Sequence, residues 1–192
     1  MVVRSRTFLP LFLFSVPFWA QSPAAPGIGN FHQVDQNVYR GAQPTNAGFD
    51  YLHSLGVKLV IDLREHDQRS AAEQRAVTAA GMQYLNVPMT GLTPPTAEET
   101  SKILALLEDG SAGPVFVHCK RGADRTGAVI AAYRIDHDNW DNPRALAEAV
   151  QNHMSRFQFE RRKFISTYHG KSASAAASAG AASAPSAASA KN

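Results

Sequence analysis

Pro114 to Gly127, PVFVHCKRGADRTG, is the stretch on which the fold turns. Pro114 to His118 is apolar, with β-branched and aromatic residues, the pattern of a buried strand. From Thr126 the chain reads as a helix to about Asp136, and a glycine-containing loop joins the two. A loop wrapped from a strand end to a helix N-terminus turns successive backbone N–H groups inward, and the helix dipole adds positive potential. The segment is therefore an anion cradle. Cys119 stands at its mouth, where that field and Arg125 favour the thiolate, so its pKa is expected well below the free value of about 8.5. Arg125 is placed to fold back and offer a planar bidentate fork to two oxygens of a bound phosphoryl group. Gly122 allows close backbone approach, and Thr126 is placed to donate a hydroxyl hydrogen bond to the sulfur. His118 is expected to order the loop and temper the thiolate. The expected phosphate-binding residues are Lys120, Arg121, Gly122, Ala123, Asp124 and Arg125.

Upstream of the cradle, strands and helices alternate. A hairpin is expected around Phe31 to Arg40, with a turn at Gly41 to Pro44. Thr45 is the expected cap of a helix to Leu55, stopped by Gly56 in the left-handed position. Val57 to Leu63, VKLVIDL, reads as a buried parallel strand. A helix from about Arg69 to Ala80 ends at Gly81, and Met82 to Pro88 gives the next strand. Thr96, followed by Glu98 and Glu99, opens a helix through Leu107. Downstream, Pro143 sits in the first turn of one helix, and another is expected from about Ser155 to Tyr168. In that last helix Phe157, Phe164, Ile165 and Tyr168 are assigned to the core, with Arg161, Arg162 and Lys163 on the wet face. The alternation implies an α/β single-domain sandwich with a mainly parallel central sheet flanked by helices, its site at the carboxyl ends of the strands.

His118, Cys119, Gly122, Arg125, Thr126 and Gly127 fit H-C-x5-R-[ST] followed by glycine. This segment resembles the active-site loop of the cysteine-dependent phosphatases, the superfamily of protein tyrosine and dual-specificity phosphatases. VYRGAQPT at Val38 to Thr45, VIDLR at Val60 to Arg64 and NVPMTG at Asn86 to Gly91 are similar to small bacterial, fungal and plant members of the dual-specificity branch. They carry fold information more than chemistry. The resemblance covers about Asn30 to Tyr168. It implies phosphomonoester hydrolysis through a cysteinyl-phosphate on Cys119, with Arg125 binding the phosphoryl group and with neither metal nor other cofactor. The substrate would be a phosphorylated protein or a small phosphorylated molecule.

The general acid departs from the family pattern. Members usually supply an aspartate from a separate loop, but the corresponding PMTGLTPPT, Pro88 to Thr96, has no carboxylate. Asp124 is the preferred substitute, since loops of the form C-x4-D-R-[ST] occur in bacterial tyrosine and phosphoinositide phosphatases and in myotubularin-like lipid phosphatases. There it would protonate the leaving oxygen and then deprotonate the attacking water. The bland alternative is that Asp124 caps the following helix or pairs with Arg121. Asp62 and Asp67 are the other candidate acids, beside leaving groups good enough to need none, and Arg64 either reaches the site or, the preferred reading, forms an ion pair with Glu65 or Asp67. Lys120 and Arg121 either recognise extra phosphates or are solvated. Three other functions compete: a phosphoinositide or inositol-phosphate phosphatase of the same mechanism, a rhodanese-like sulfurtransferase, and a phosphate-binding pseudophosphatase. The arginine and threonine six and seven residues after Cys119 favour phosphate over sulfur transfer, and intact Cys119 and Arg125 argue against the pseudophosphatase.

The chain has 192 residues and a formal charge of +3, yet Phe31 to Gly170 holds 15 Lys and Arg against all 16 Asp and Glu. A basic nucleic-acid surface is not indicated. One cysteine excludes an internal disulfide and a Cys-rich zinc site, and the seven histidines show no metal-ligand spacing. Residues 1–26 have two arginines, an apolar run from Phe8 to Trp19 and a small-residue end, the layout of a secretory signal peptide cleaved near 20–24. The run is too short and too broken by proline for a membrane span. Export to a periplasm or the medium follows as the expectation. Residues 171–192, almost all Ala and Ser, read as a disordered tail. The expected phosphatase domain is 30–170.

Overall fold

The computed structural model describes residues 25–170. The expected leader, apart from Ala25 and Pro26, and the expected tail lie outside the described residues. In chain order the elements are β1 (His32–Gln33), β2 (Val38–Ala42), α1 (Asn46–Ser54), β3 (Leu59–Asp62), α2 (Gln68–Ala79), β4 (Gln83–Asn86), α3 (Ala97–Glu108), β5 (Val115–Cys119), α4 (Asp124–Asp136), α5 (Asn142–Gln151) and α6 (Phe159–Thr167). The strands form one sheet in the order β1-β2-β5-β3-β4, in which only the β1–β2 pair is antiparallel. This is the mainly parallel sandwich expected from the alternation.

β5 lies in the middle of the sheet and all five of its residues are buried, because helices cover both faces. Alternation along the strand sends Val115, Val117 and Cys119 to one face, where they pack with Val129, Ile130 and Tyr133 of α4 and Ile103 and Leu104 of α3. Phe116 goes to the other, against Val60 and against Phe49 and Leu52 of α1 and Val77 of α2. A third cluster joins Ala128 and Ala131 of α4 to Ala145 and Ala149 of α5 and Ile165 of α6. Alanine at these positions lets the three helices approach closely.

Local chemistry sets the helix ends. Thr96 and Glu99 form a reciprocal capping box at α3, and Asp67 and Ser70 do the same at α2. Asp141 caps α5 ahead of Pro143 by accepting from the Arg144 amide at 2.8 Å.

Several local expectations are corrected. α4 begins at Asp124, not at Thr126, so Asp124 belongs to the helix's first turn. α6 begins at Phe159, because residues 155–158 form a separate turn with Gln158 N bonded to Ser155 O. Phe157, in that turn, is 66% exposed and not a core residue. Arg161, assigned to the wet face, is completely buried.

Candidate active site

The cradle forms where β5 ends and α4 begins. Cys119 is the last residue of β5, paired in register with Ala42 of β2, and is 3% exposed. Gly122 makes the turn possible. Its φ is +65°, and a Cβ there would lie 2.2 to 2.5 Å from the backbone of Gly41 and Ala42, so the loop rests directly on β2. The Gly122 carbonyl accepts from Arg40 Nη2 at 2.8 Å and from Asn30 Nδ2 at 3.0 Å. Ala123 is buried and leads into α4.

Cys119, Arg125 and Thr126 converge here. Burial alone would push the Cys119 thiol up, but the Thr126 hydroxyl and amide, the Arg125 charge and the Arg121 amide outweigh it and hold the thiol below its ordinary value. Thr126 is completely buried. The Arg125 guanidinium is fixed by the carbonyls of Met89 at 3.1 Å and Leu63 at 3.4 Å, with a Glu65 carboxylate oxygen at 3.8 Å. Arg125, Lys120, Gln43, Arg64, Glu65, Asp67 and Arg69 line a cleft of about 210 Å³. Arg121 turns away, its exposed guanidinium paired with one oxygen of Asp124. The other oxygen of Asp124 accepts the Ser155 amide at 2.9 Å.

Behind the loop is a buried polar cluster. His118 Nε2 lies 2.7 Å from Glu73 Oε1 and 3.9 Å from Asp62 Oδ1, and its ring stacks on Phe116. Arg64 joins the two carboxylates, at 2.7 Å to Asp62 Oδ2 and 2.5 Å to Glu73 Oε2, and Tyr84 donates to Asp62 Oδ2 at 2.8 Å. Burial disfavours the charged ring, yet Glu73 and Asp62 outweigh it and hold His118 above its ordinary range. Asp62, Glu73 and His118 have metal-ligand chemistry and spacing, but Arg64 already occupies their oxygens as counter-ion. The expected pairing of Arg64 with Glu65 or Asp67 is replaced by Asp62 and Glu73, because the Arg64 side chain, two residues past the end of β3, folds back over Asp62 and reaches Glu73 of α2. Asp62 is thereby buried and committed. Asp67, on the cleft, is held down at about 2 by Arg69 and the Ser70 amide.

Two contributors escaped the sequence reading. Arg40, inside the VYRGAQPT stretch valued only for its fold content, holds the loop carbonyl. Arg161, from the far end of the domain, donates to Thr90 O at 2.6 Å and Gly91 O at 2.7 Å, fastening the Pro88 to Thr96 segment beside the cradle. A buried arginine aimed at backbone carbonyls leaves no local signal, although an arginine retained in an apolar strand, as at position 40, is one.

A cysteine whose thiol is held below its ordinary value and an arginine, in one strand–loop–helix cradle, define the class of cysteine-dependent phosphatases. The family model for a DSP-PTPase phosphatase fused to NAD+ kinase matches residues 22–167, and the chain belongs to this family. The dual specificity protein phosphatase TpbA of Pseudomonas aeruginosa is 34% identical over 132 residues, which span 69% of this chain and 57% of that protein. The chain thus spans little more than half the length of that curated relative. The crystal structure of P. aeruginosa TpbA superposes with a TM-score of 0.61 at 26% identity, covering 75% of this chain and 90% of that one. The core catalytic domain of the PP-IP phosphatase SIW14 from S. cerevisiae superposes with a TM-score of 0.64 at 25% identity, covering 79% and 93%. Among the described residues no helix is long and apolar enough to cross a membrane.

Proposed function

We propose that this chain is a phosphomonoester hydrolase of the dual-specificity, tyrosine-phosphatase-like type, acting through a cysteinyl-phosphate on Cys119. The observation that carries the reading is the buried Cys119 sulfur, favoured as thiolate by Thr126 and Arg125, at the mouth of a loop leading into α4. The thiolate attacks phosphorus and the ester oxygen departs with a proton. Arg125 and the amides from Lys120 to Arg125 take the charge of the equatorial oxygens. Water then attacks the phosphocysteine and releases inorganic phosphate, while the Thr126 hydroxyl stabilises the departing sulfur. Asp124 is proposed as the acid and base of the two steps, once its pairing with Arg121 opens.

The substrate is a phosphorylated protein, in keeping with the name of TpbA. A phosphoinositide or inositol phosphate is the second reading, favoured by Lys120 and Arg69 on the cleft and by the likeness to SIW14. The leader over 1–26 supports export.

The test is phosphate release from p-nitrophenyl phosphate at pH 5 to 8 by the reduced protein. Activity abolished by Cys119→Ser and by vanadate is the expected result. A folded, reduced protein without activity overturns the reading and directs a thiosulfate assay for sulfur transfer. Phosphopeptides assayed beside phosphoinositides then separate the two substrate classes.

A further inference from the structure

Arg40 faces Val117 in the register of β2 with β5, two residues before the Ala42 and Cys119 pair. Side chains alternate along a strand, so Arg40 stands on the face of the sheet that carries Cys119. It is 1% exposed. Its Nη2 holds the Gly122 carbonyl at 2.8 Å, while Nε and Nη1 meet no hydrogen-bond partner among the described residues. The groups whose charges reach it are Glu148 of α5, Cys119 of β5, Arg134 of α4 and His32 of β1. Glu148 is the strongest of the charges that favour the Arg40 cation, but it makes no hydrogen bond to Arg40 and is shared with Arg134, at 2.9 Å, which also takes Asp138 at 2.6 Å. Burial pushes the Arg40 guanidinium down to about 10, which leaves it charged at neutral pH. An isolated buried cation is strongly unfavourable unless an anion faces it.

We propose that Arg40 is a positioning residue of the cradle whose counter-charge is the anion held there, the Cys119 thiolate in the free protein and an oxyanion once one is bound. Two effects follow from one side chain. The grip on the Gly122 carbonyl fixes the loop at its left-handed residue, and the unspent positive charge adds to the potential that Arg125 and the α4 terminus supply from the other side. The inference rests on Cys119 being the functional thiolate, but its test needs no turnover.

Cys119 is the one cysteine of the chain, so the rate of its modification by iodoacetamide, followed against pH in the full chain, reports its thiolate directly. Arg40→Gln is expected to raise the midpoint by about one unit, an approximately tenfold slower modification below it. Arg40→Lys, which keeps the charge, is expected to stay near the wild type. An unchanged midpoint in Arg40→Gln overturns the proposal, as does an equal shift in both variants, which would mark a purely structural arginine. Should the glutamine variant not fold, the wild type decides. The Arg40 Nε–H resonance is expected to move through the thiol titration and on adding tungstate, and a resonance indifferent to both overturns the proposal. Intact coupling in a protein without phosphatase activity would sink the proposed reaction and leave this inference standing.

Discussion

Arg161 donates to the carbonyl of Thr90 at 2.6 Å across 71 residues of sequence, and this contact fastens the loop whose Met89 carbonyl steadies Arg125. The first prediction follows from that chain of contacts. Arg161→Ala removes the donor of two part-buried hydrogen bonds, to Thr90 O and Gly91 O, at about 0.5–1.5 kcal/mol each, and empties the volume of a fully buried side chain. A loss of about 2–4 kcal/mol in urea unfolding is expected. Because Arg125 loses its support as well, kcat/KM toward p-nitrophenyl phosphate should fall by about tenfold or more. Loss of stability with kcat/KM unchanged would show that the loop does not position Arg125.

Gly122 supplies the second prediction. An alanine there combines a φ of +65° with a Cβ 2.2 Å from the Gly41 carbonyl carbon, a backbone atom that cannot swing aside. Gly122→Ala should disrupt the cradle far beyond the usual cost of about 1 kcal/mol for a strained alanine. A crystal structure or amide-exchange map of the variant should show displacement confined to the loop and the facing end of β2. Wild-type tungstate affinity in this variant would refute the close packing.

The sheet and the cradle were legible in the sequence because their signals are local. Val115 to Val117 is an apolar run closed by the motif, Thr96 and Glu99 spell a capping box, and Gly56 and Gly81 stop helices by their left-handed φ. The Arg161 environment was illegible for the opposite reason. In the run Arg161, Arg162, Lys163 nothing local distinguishes a cation facing water from one that finds carbonyls on a distant loop. Arg64 was misassigned for a related reason: Asp62 is near in sequence, as Glu65 and Asp67 are, and only the packing of α2 on the sheet, which brings Glu73 to the same guanidinium, decides among them. Phe157 looked like core by composition, but the turn at residues 155–158 breaks the helical period that would have carried it inward.

The cluster behind the loop gives a pH dependence of defined sign. The Asp62 carboxyl, pushed up by burial and brought below its ordinary value by Arg64 and His118, contributes stability above its unfolded pKa of about 3.9 and loses it as pH falls through the lower folded value. His118, held high by Glu73 and Asp62 against the effect of burial, contributes stability below its unfolded pKa of about 6.5 and loses it as pH rises through the higher folded value. Unfolding free energy should therefore be greatest between these windows and decline on both sides. Glu73→Gln should shrink the alkaline decline, and a decline of undiminished size would assign it to groups other than His118. Glu73→Ala, which strands Arg64 and His118, should cost about 3–5 kcal/mol at pH 6.

The last prediction concerns the proton that the leaving group needs. Two carboxylates compete for this role. Asp124 is bound by Arg121 and the Ser155 amide, whereas Glu65 lines the cleft with a carboxylate oxygen 3.8 Å from Arg125 and is largely exposed. A general acid matters most when the leaving oxygen is basic, so its removal costs more on an alkyl phosphate than on p-nitrophenyl phosphate. Asp124→Asn keeps an oxygen for the Ser155 amide while removing the proton source and the charge that pairs with Arg121. It should lower kcat by about 100-fold on the alkyl ester and far less on the nitrophenyl ester. Arg121→Ala, which frees one oxygen of Asp124, should leave kcat on the alkyl ester undiminished. Equal losses on both esters in Asp124→Asn, together with a leaving-group-dependent loss in Glu65→Gln, would transfer the role to Glu65 and leave Asp124 as the anchor of the turn at Ser155.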